Sequence, residues 1–230
     1  MYDGEDLIIA MGVPGSRWSG ALRLLSLLTD QVNTSDEKQE WTYDKKATGW
    51  HRGCYFGPGH THGQGFDNLQ QYSKQQLIDE FKNPYQHFEG IKIIKSHWFS
   101  YNIPLLLEYF PKAKFISFYV DNNDAFRWWH DVGGWDITYP IYDWYENDDK
   151  MLKQIAVENK AIKRHFKLQR YDTWQQVTHK LGLGKTRLKM EEILAKDAKF
   201  YEFNTKNYEN DTTFDSWLSN IFARTKIGII

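Results

Sequence analysis

The stretch Asp6 to Gly20, DLIIAMGVPGSRWSG, constrains this chain more than any other. An apolar run, Leu7 to Met11, stops at Gly12. Proline, glycine, serine and arginine follow, and apolar patterning resumes at Ala21 with Leu22, Leu25 and Leu28 on one stripe. An unbroken apolar run of that length reads as a buried strand, and a stripe at that spacing as a helix. In this order, strand, loop and helix hold the physical core of an anion site. The flexible residues let backbone N–H groups converge, and the helix points its positive end at the loop. Ser16 and Ser19 add hydroxyl donors, and Arg17 adds a charged fork. The plain alternative is an ordinary tight strand–helix turn with a serine cap.

The loop is not the nucleoside-triphosphate motif its position suggests. That motif needs G-x-x-x-x-G-K-[ST], with a lysine reaching the β and γ phosphates. After Gly12 come Val13, Pro14, Gly15, Ser16 and Arg17, so neither the second glycine nor the lysine falls in place. GLGKT at Gly182 to Thr186 looks closer, but His179 stands where the first glycine belongs and a helix, not a strand, precedes it.

Along the rest of the chain, Asp30 to Thr48 is polar without a period. Gly49 to Gly65 reads as a long glycine- and histidine-rich loop over one face. Helix is expected over Leu69–Phe81, Pro104–Tyr109, Asp124–Asp131, Met151–Gln169, Thr173–Leu181, Met190–Ala198 and Asp215–Ala223. Strands are expected at Ile91–Ile94 and Lys114–Val120, with a short strand or turn at Phe200–Phe203. Strand–helix alternation to about residue 135, then an all-helical second half, predicts one α/β domain over residues 1–230. Its sheet would be mainly parallel and flanked by helices.

Composition narrows the function classes. Lys plus Arg number 29 against 30 Asp plus Glu, so no global charge invites nucleic acid. Cys54 is the only cysteine, which excludes an internal disulfide and a cysteine metal cluster and suits a small buried hydrophobe. No apolar run reaches membrane length, and MYDGEDLIIAMG lacks a basic leader; a soluble cytoplasmic protein is expected.

Joined to two later segments, the first loop resembles that of the sulfotransferases that use 3′-phosphoadenosine 5′-phosphosulfate (PAPS). In that family a strand enters G-x-P-[KR]-S-G-T-[TS], which wraps the 5′-phosphosulfate. Here the stretch is GVPGSRWS: Gly12, Pro14, Ser16 and Ser19 fit, while Gly15, Arg17 and Trp18 replace the family's basic residue, glycine and first threonine. IKIIKSHWF, Ile91 to Phe99, is similar to the family's strand ending in K-[TS]-H, whose histidine takes the acceptor proton. PKAKFISFYV then follows the family's order of a short helix and a strand. After that strand the family carries V-R-[ND]-P and a later serine for the 3′-phosphate. This chain has Asp121 in place of the arginine and Trp128 or Trp129 near the serine, with Arg127 one helical turn in. The resemblance covers residues 7–135 and, more faintly, 171–198. The tail ARTKIGII keeps Arg224, Lys226 and Gly228 in an order only loosely like the family's closing R-K-G-x-x-G.

The resemblance implies a P-loop-like sulfotransferase fold, PAPS as cofactor, and a carbohydrate or small-molecule acceptor. It implies His97, Lys95 and Arg17 as catalytic residues. Gly12, Pro14, Gly15, Ser16, Arg17, Trp18, Ser19, Asn122 and Arg127 would hold the nucleotide. Trp50, Tyr55, Phe56, His60, His62 and Trp98 would form the acceptor side, and no metal, nucleic acid or membrane is required. The chemistry suits these residues, because in-line transfer needs positive charge at the leaving oxygen and a base for the acceptor proton. Histidine, with an ordinary pKa of about 6.5, is such a base. Taken singly, His97 reads equally as a strand-end histidine bonded to backbone. Lys95 reads as surface charge, Ser96 as a cap, and Trp128 and Trp129 as core. His60 and His62, with His51 or Asp67 as a third ligand, allow a metal site as a lesser alternative to an acceptor cover. Two other functions stay open: an ATP-dependent transferase with Asp121 as a magnesium ligand, and a binding protein that keeps the fold without the reaction.

Overall fold

The computed structural model describes residues 2–35, 53–57, 66–131, 133–136, 142–184, 219 and 221–230. Among these, β1 (Leu7–Gly12) is buried at every position. That is why its sequence shows no alternation: a central strand of a parallel sheet is covered on both faces. Each Leu, Ile or Met buried there contributes about 1.5–3 kcal/mol. β2 (Cys54–Tyr55), β3 (Lys92–Lys95), β4 (Lys114–Tyr119) and β5 (Lys226–Ile229) complete a sheet of order β2-β3-β1-β4-β5. β1 pairs parallel with β3 and β4, and β2 pairs parallel with β3. In register, Ala10 lies opposite Lys95 and Gly12 opposite Phe118, so β1, β3 and β4 end along one edge.

The helices are α1 (Trp18–Leu28), α2 (Lys74–Lys82), α3 (Ile103–Tyr109), α4 (Asn122–Asp131), α5 (Asp148–His165) and α6 (Trp174–Lys180). α1 carries the expected Leu22, Leu25 and Leu28 stripe and buries its other faces too, including Arg23 and Ser26. α2 starts later than the sequence suggests. Residues 69–71 form a separate 3-10 turn, and Ser73 with Gln76 makes a reciprocal capping box that opens a new helix at Lys74. α4 buries Ala125, Trp128 and Trp129, one face at helical spacing.

Two expectations are corrected. The second half is not all helical: β5 pairs antiparallel with β4 from Ile116↔Ile229 to Tyr119↔Lys226. Four residues of KIGI carry no turn signal or long alternation, and pairing with the edge of β4 makes them a strand. The glycine- and histidine-rich segment is not loop throughout, since Cys54 and Tyr55 add β2 to the edge of β3. The expected elements at 190–198 and 200–203 lie outside the described residues. Of 215–223, only 219 and 221–223 are described, and they are helical. Gly182 ends α6 at φ +69, with its amide on the His179 carbonyl, which gives GLG a helix-stop role. Among the described residues no helix is long and apolar enough to cross a membrane.

Candidate functional site

The crevice beyond the carboxyl ends of parallel strands is where open α/β sheets bind ligands. There the first loop follows β1, Lys95 and His97 lie at and just past the end of β3, and Asn122 and Arg127 follow β4. Gly12 ends β1 and is roofed by Trp18 and Ser16; a Cβ on it would lie 2.7 Å from the Trp18 side chain and 2.8 Å from Ser16 Oγ. Val13 and Pro14 are buried, and Gly15 sits at φ +75 against α4. Its missing Cβ would fall 1.9 Å from the Ala125 carbonyl oxygen and 2.7 Å from the Trp129 nitrogen. No side chain fits there, which accounts physically for the absent basic residue. Ser16 is turned inward: its amide and its hydroxyl both donate to the Val13 carbonyl, the hydroxyl at 2.8 Å. Ser19 is half-buried on the first turn of α1.

Positive charge reaches this loop from several elements. Arg17, at φ +58 and 8% exposed, lays its guanidinium 3.9 Å from the centre of the Trp128 ring. The Arg224 guanidinium lies 5.8 Å from the same ring and meets Asp124 Oδ1 at 3.3 Å. Arg127 meets the same carboxylate oxygen at 3.2 Å. Arg17, Arg127 and Arg224 thus surround Trp128 and Asp124 on α4. A desolvated guanidinium on an indole face gains about 2 kcal/mol. Lys95, at the end of β3, is wholly buried. Its ammonium lies 5.1 Å from the Phe56 ring and 5.7 Å from the Trp18 ring.

Asp121 follows β4, exposed, and caps α4 by accepting from the Asn123 amide at 3.1 Å. A carboxylate there complements the helix dipole, which explains its presence where the resemblance calls for arginine. Asn122 accepts from Asn159 Nδ2 at 2.7 Å, and that same group donates to the Val120 carbonyl at 2.8 Å. Trp129 is a core residue, stacked on Phe126 and edge-on to Trp135.

Ser96 caps the turn 97–101 by accepting from the Trp98 amide at 3.2 Å. His97 opens that turn, buried, with Nδ1 3.3 Å from Glu158 Oε1 on α5. A second carboxyl, Asp67, lies near enough to feel the imidazole. Burial pushes Asp67 above the usual carboxylate range, against the opposing effects of a 2.7 Å hydrogen bond from the Tyr142 hydroxyl and of His97. Trp98 lies beside the imidazole at 5.0 Å between ring centres, and Trp144 stands edge-on at 6.2 Å. Tyr142 stacks on Trp144 at 4.9 Å and packs on Trp98 at 5.3 Å, so an aromatic wall adjoins His97. Tyr101 extends that wall; burial first, and the Glu158 charge second, push its phenol far above the usual range.

Of the expected acceptor residues, Phe56 packs edge-on against Trp18 at 5.6 Å and so joins the loop. Tyr55 turns instead to the core, its ring against Phe66 and its hydroxyl donating to Glu80; burial raises that phenol above its ordinary range. Trp50, His51, His60 and His62 lie outside the described residues. Among those described, no group of three His, Cys, Asp or Glu side chains is arranged to hold a metal. A separate cleft of about 500 Å³ is lined by Trp135, Glu146, Asn147, Asp148 and Asp149, and its carboxylates repel anions.

Sequence reasoning missed Glu158 and Asn159; it offered Asp67 only as a metal ligand and Arg224 only as part of a loosely similar tail. Glu158 and Asn159 had a signal, since both interrupt the apolar stripe of Met151, Ile155 and Ile162. Arg224 reaches α4 only because β5 folds back on β4. No family model, curated protein or solved structure matches this chain.

Proposed function

We propose that this chain is a sulfotransferase that moves a sulfuryl group from PAPS to a hydroxyl of a carbohydrate or other small acceptor, as a cytoplasmic enzyme of P-loop-like architecture. The observation that carries the reading is the end of β3. There the buried Lys95 ammonium abuts Trp18 of the first loop, and His97 follows beside an aromatic wall.

The residues present fit the charge of such a nucleotide. Lys95, Arg17, Arg127 and Arg224 supply ammonium and guanidinium groups around the loop and α4. The inward-turned Ser16 leaves phosphate recognition to these cations and to backbone amides. When bound, the nucleotide supplies the sulfuryl group and the phosphate oxygen that departs. His97 takes the acceptor's proton, and Lys95 and Arg17 oppose the charge on the departing oxygen, the kind of fixed electrostatic help that dominates such transfers. Trp98, Tyr142 and Trp144 give a ring-bearing acceptor a flat surface beside the base.

The test is acceptor-dependent release of adenosine 3′,5′-bisphosphate from PAPS across a panel of sugars and phenols. The His97→Ala variant should lose at least about 100-fold in rate. No release with any acceptor, or equal rates in His97→Ala, would overturn the assignment. A second reading, a nucleotide-binding protein without the reaction, is favoured by one observation. Ser16 and Trp18 close over Gly12, and the Ser16 donors are spent on Val13.

A further inference from the structure

The buried face of α5 is apolar at Met151, Ile155 and Ile162 and polar at two adjacent positions, Glu158 and Asn159. Asn159 ties the end of β4 to α4. Glu158 has no exposure at all, and burying a carboxylate disfavours folding unless the group is hydrogen-bonded. Its Oε1 receives Gln154 Nε2 at 2.7 Å and lies 3.3 Å from His97 Nδ1. Gln154 Nε2 also donates to the Tyr101 hydroxyl at 2.8 Å. The carboxylate is therefore anchored from its own helix while the imidazole approaches from the end of β3. Among the described residues neither His97 Nε2 nor Glu158 Oε2 has a hydrogen-bond partner.

We propose that Glu158 is a positioning residue: it holds His97 as the Nδ1–H tautomer and leaves the Nε2 lone pair to take the acceptor's proton. This rests on the reading of His97 as the base. An ionised carboxylate only accepts, so the shared hydrogen belongs to Nδ1, and the neutral ring is then basic at Nε2. In the transfer, the acceptor O–H bond breaks and its proton goes to Nε2. The oxygen's electron pair forms the bond to sulfur, and the sulfur–phosphate oxygen bond breaks with its pair staying on the phosphate. Glu158 opposes the positive charge that the ring gains, and Asp67 adds to the same field.

The test is a long-range proton–nitrogen NMR spectrum of the full chain labelled with ¹⁵N-histidine, at about pH 8, above the ordinary histidine range. The His97 pattern is assigned by its loss in His97→Gln. Wild type should show the Nδ1–H pattern. Glu158→Gln, which keeps an acceptor oxygen, should retain it, and Glu158→Met, which suits the apolar stripe, should shift it to Nε2–H. With an acceptor in hand, Glu158→Met should lower kcat about 100-fold or more with KM little changed, and Glu158→Gln should recover much of that loss. An Nε2–H pattern in wild type, or an unaltered pattern in a folded Glu158→Met, would overturn the proposal. If Glu158→Met does not fold, the wild-type spectrum decides alone. The spectrum needs no nucleotide. The Nδ1–H tautomer in a chain that ignores adenosine 3′,5′-bisphosphate would therefore sink the sulfotransferase reading and leave the Glu158 role standing.

Discussion

Replacing Gly15 with alanine tests how the first loop is held. An L-residue at φ +75 is strained by about 1–2 kcal/mol. The added Cβ would stand 1.9 Å from the Ala125 oxygen, far inside the 3.4 Å of ordinary contact. That oxygen and the Trp129 nitrogen are helix backbone and cannot rotate away, so the loop must withdraw, at about 1–3 kcal/mol for an overpacked site. The expected loss is about 2–5 kcal/mol, read as a lower urea midpoint at unchanged slope. Gly182→Ala is the control: it has nearly the same φ, +69, but no described residue lies within 4 Å of its added Cβ, so the strain alone is expected. Equal losses in the two variants, or a loss below about 1 kcal/mol for Gly15→Ala, would refute the close approach of loop and helix. By the same geometry, Gly15→Lys should destabilise the protein rather than restore the basic residue of the resembled family.

Asn159→Ala should lower the unfolding free energy by about 1–3 kcal/mol in urea titrations, because the Val120 carbonyl and Asn122 lose a shared buried donor. Asp67 has a raised carboxyl, so its contribution to stability is complete below the ordinary aspartate value of about 3.9 and is lost as pH rises through its own higher value. Wild type should accordingly lose ground relative to Asp67→Asn as pH rises from that value, as followed by thermal melts in a pH series. Arg17→Ala and Arg224→Ala should each weaken binding of adenosine 3′,5′-bisphosphate at least tenfold by calorimetry, while Lys160→Ala, an exposed position on α5, should not.

The strand–loop–helix entry was legible because β1 is buried on both faces and α1 keeps a leucine stripe, and both signals live within a few neighbouring residues. Lys95 and His97 were legible for a similar reason, since a strand's end puts adjacent residues at the sheet's edge. What stayed hidden is long-range. Asp67 meets Tyr142, and Glu158 meets His97, across separations that no local pattern encodes. Arg224 joins Trp128 through the antiparallel return of β5. Two apparent losses of charge also became intelligible only in three dimensions. Gly15 has no room for a side chain, and Asp121 serves as a helix cap.

Calorimetric titration with adenosine 3′,5′-bisphosphate, beside ATP with magnesium, decides whether this chain takes the nucleotide of a sulfotransferase. The sulfotransferase assignment predicts micromolar binding of the bisphosphate, about −8 kcal/mol, that weakens in Arg17→Ala. No heat with the bisphosphate, whether ATP binds in its place or neither nucleotide does, would contradict it.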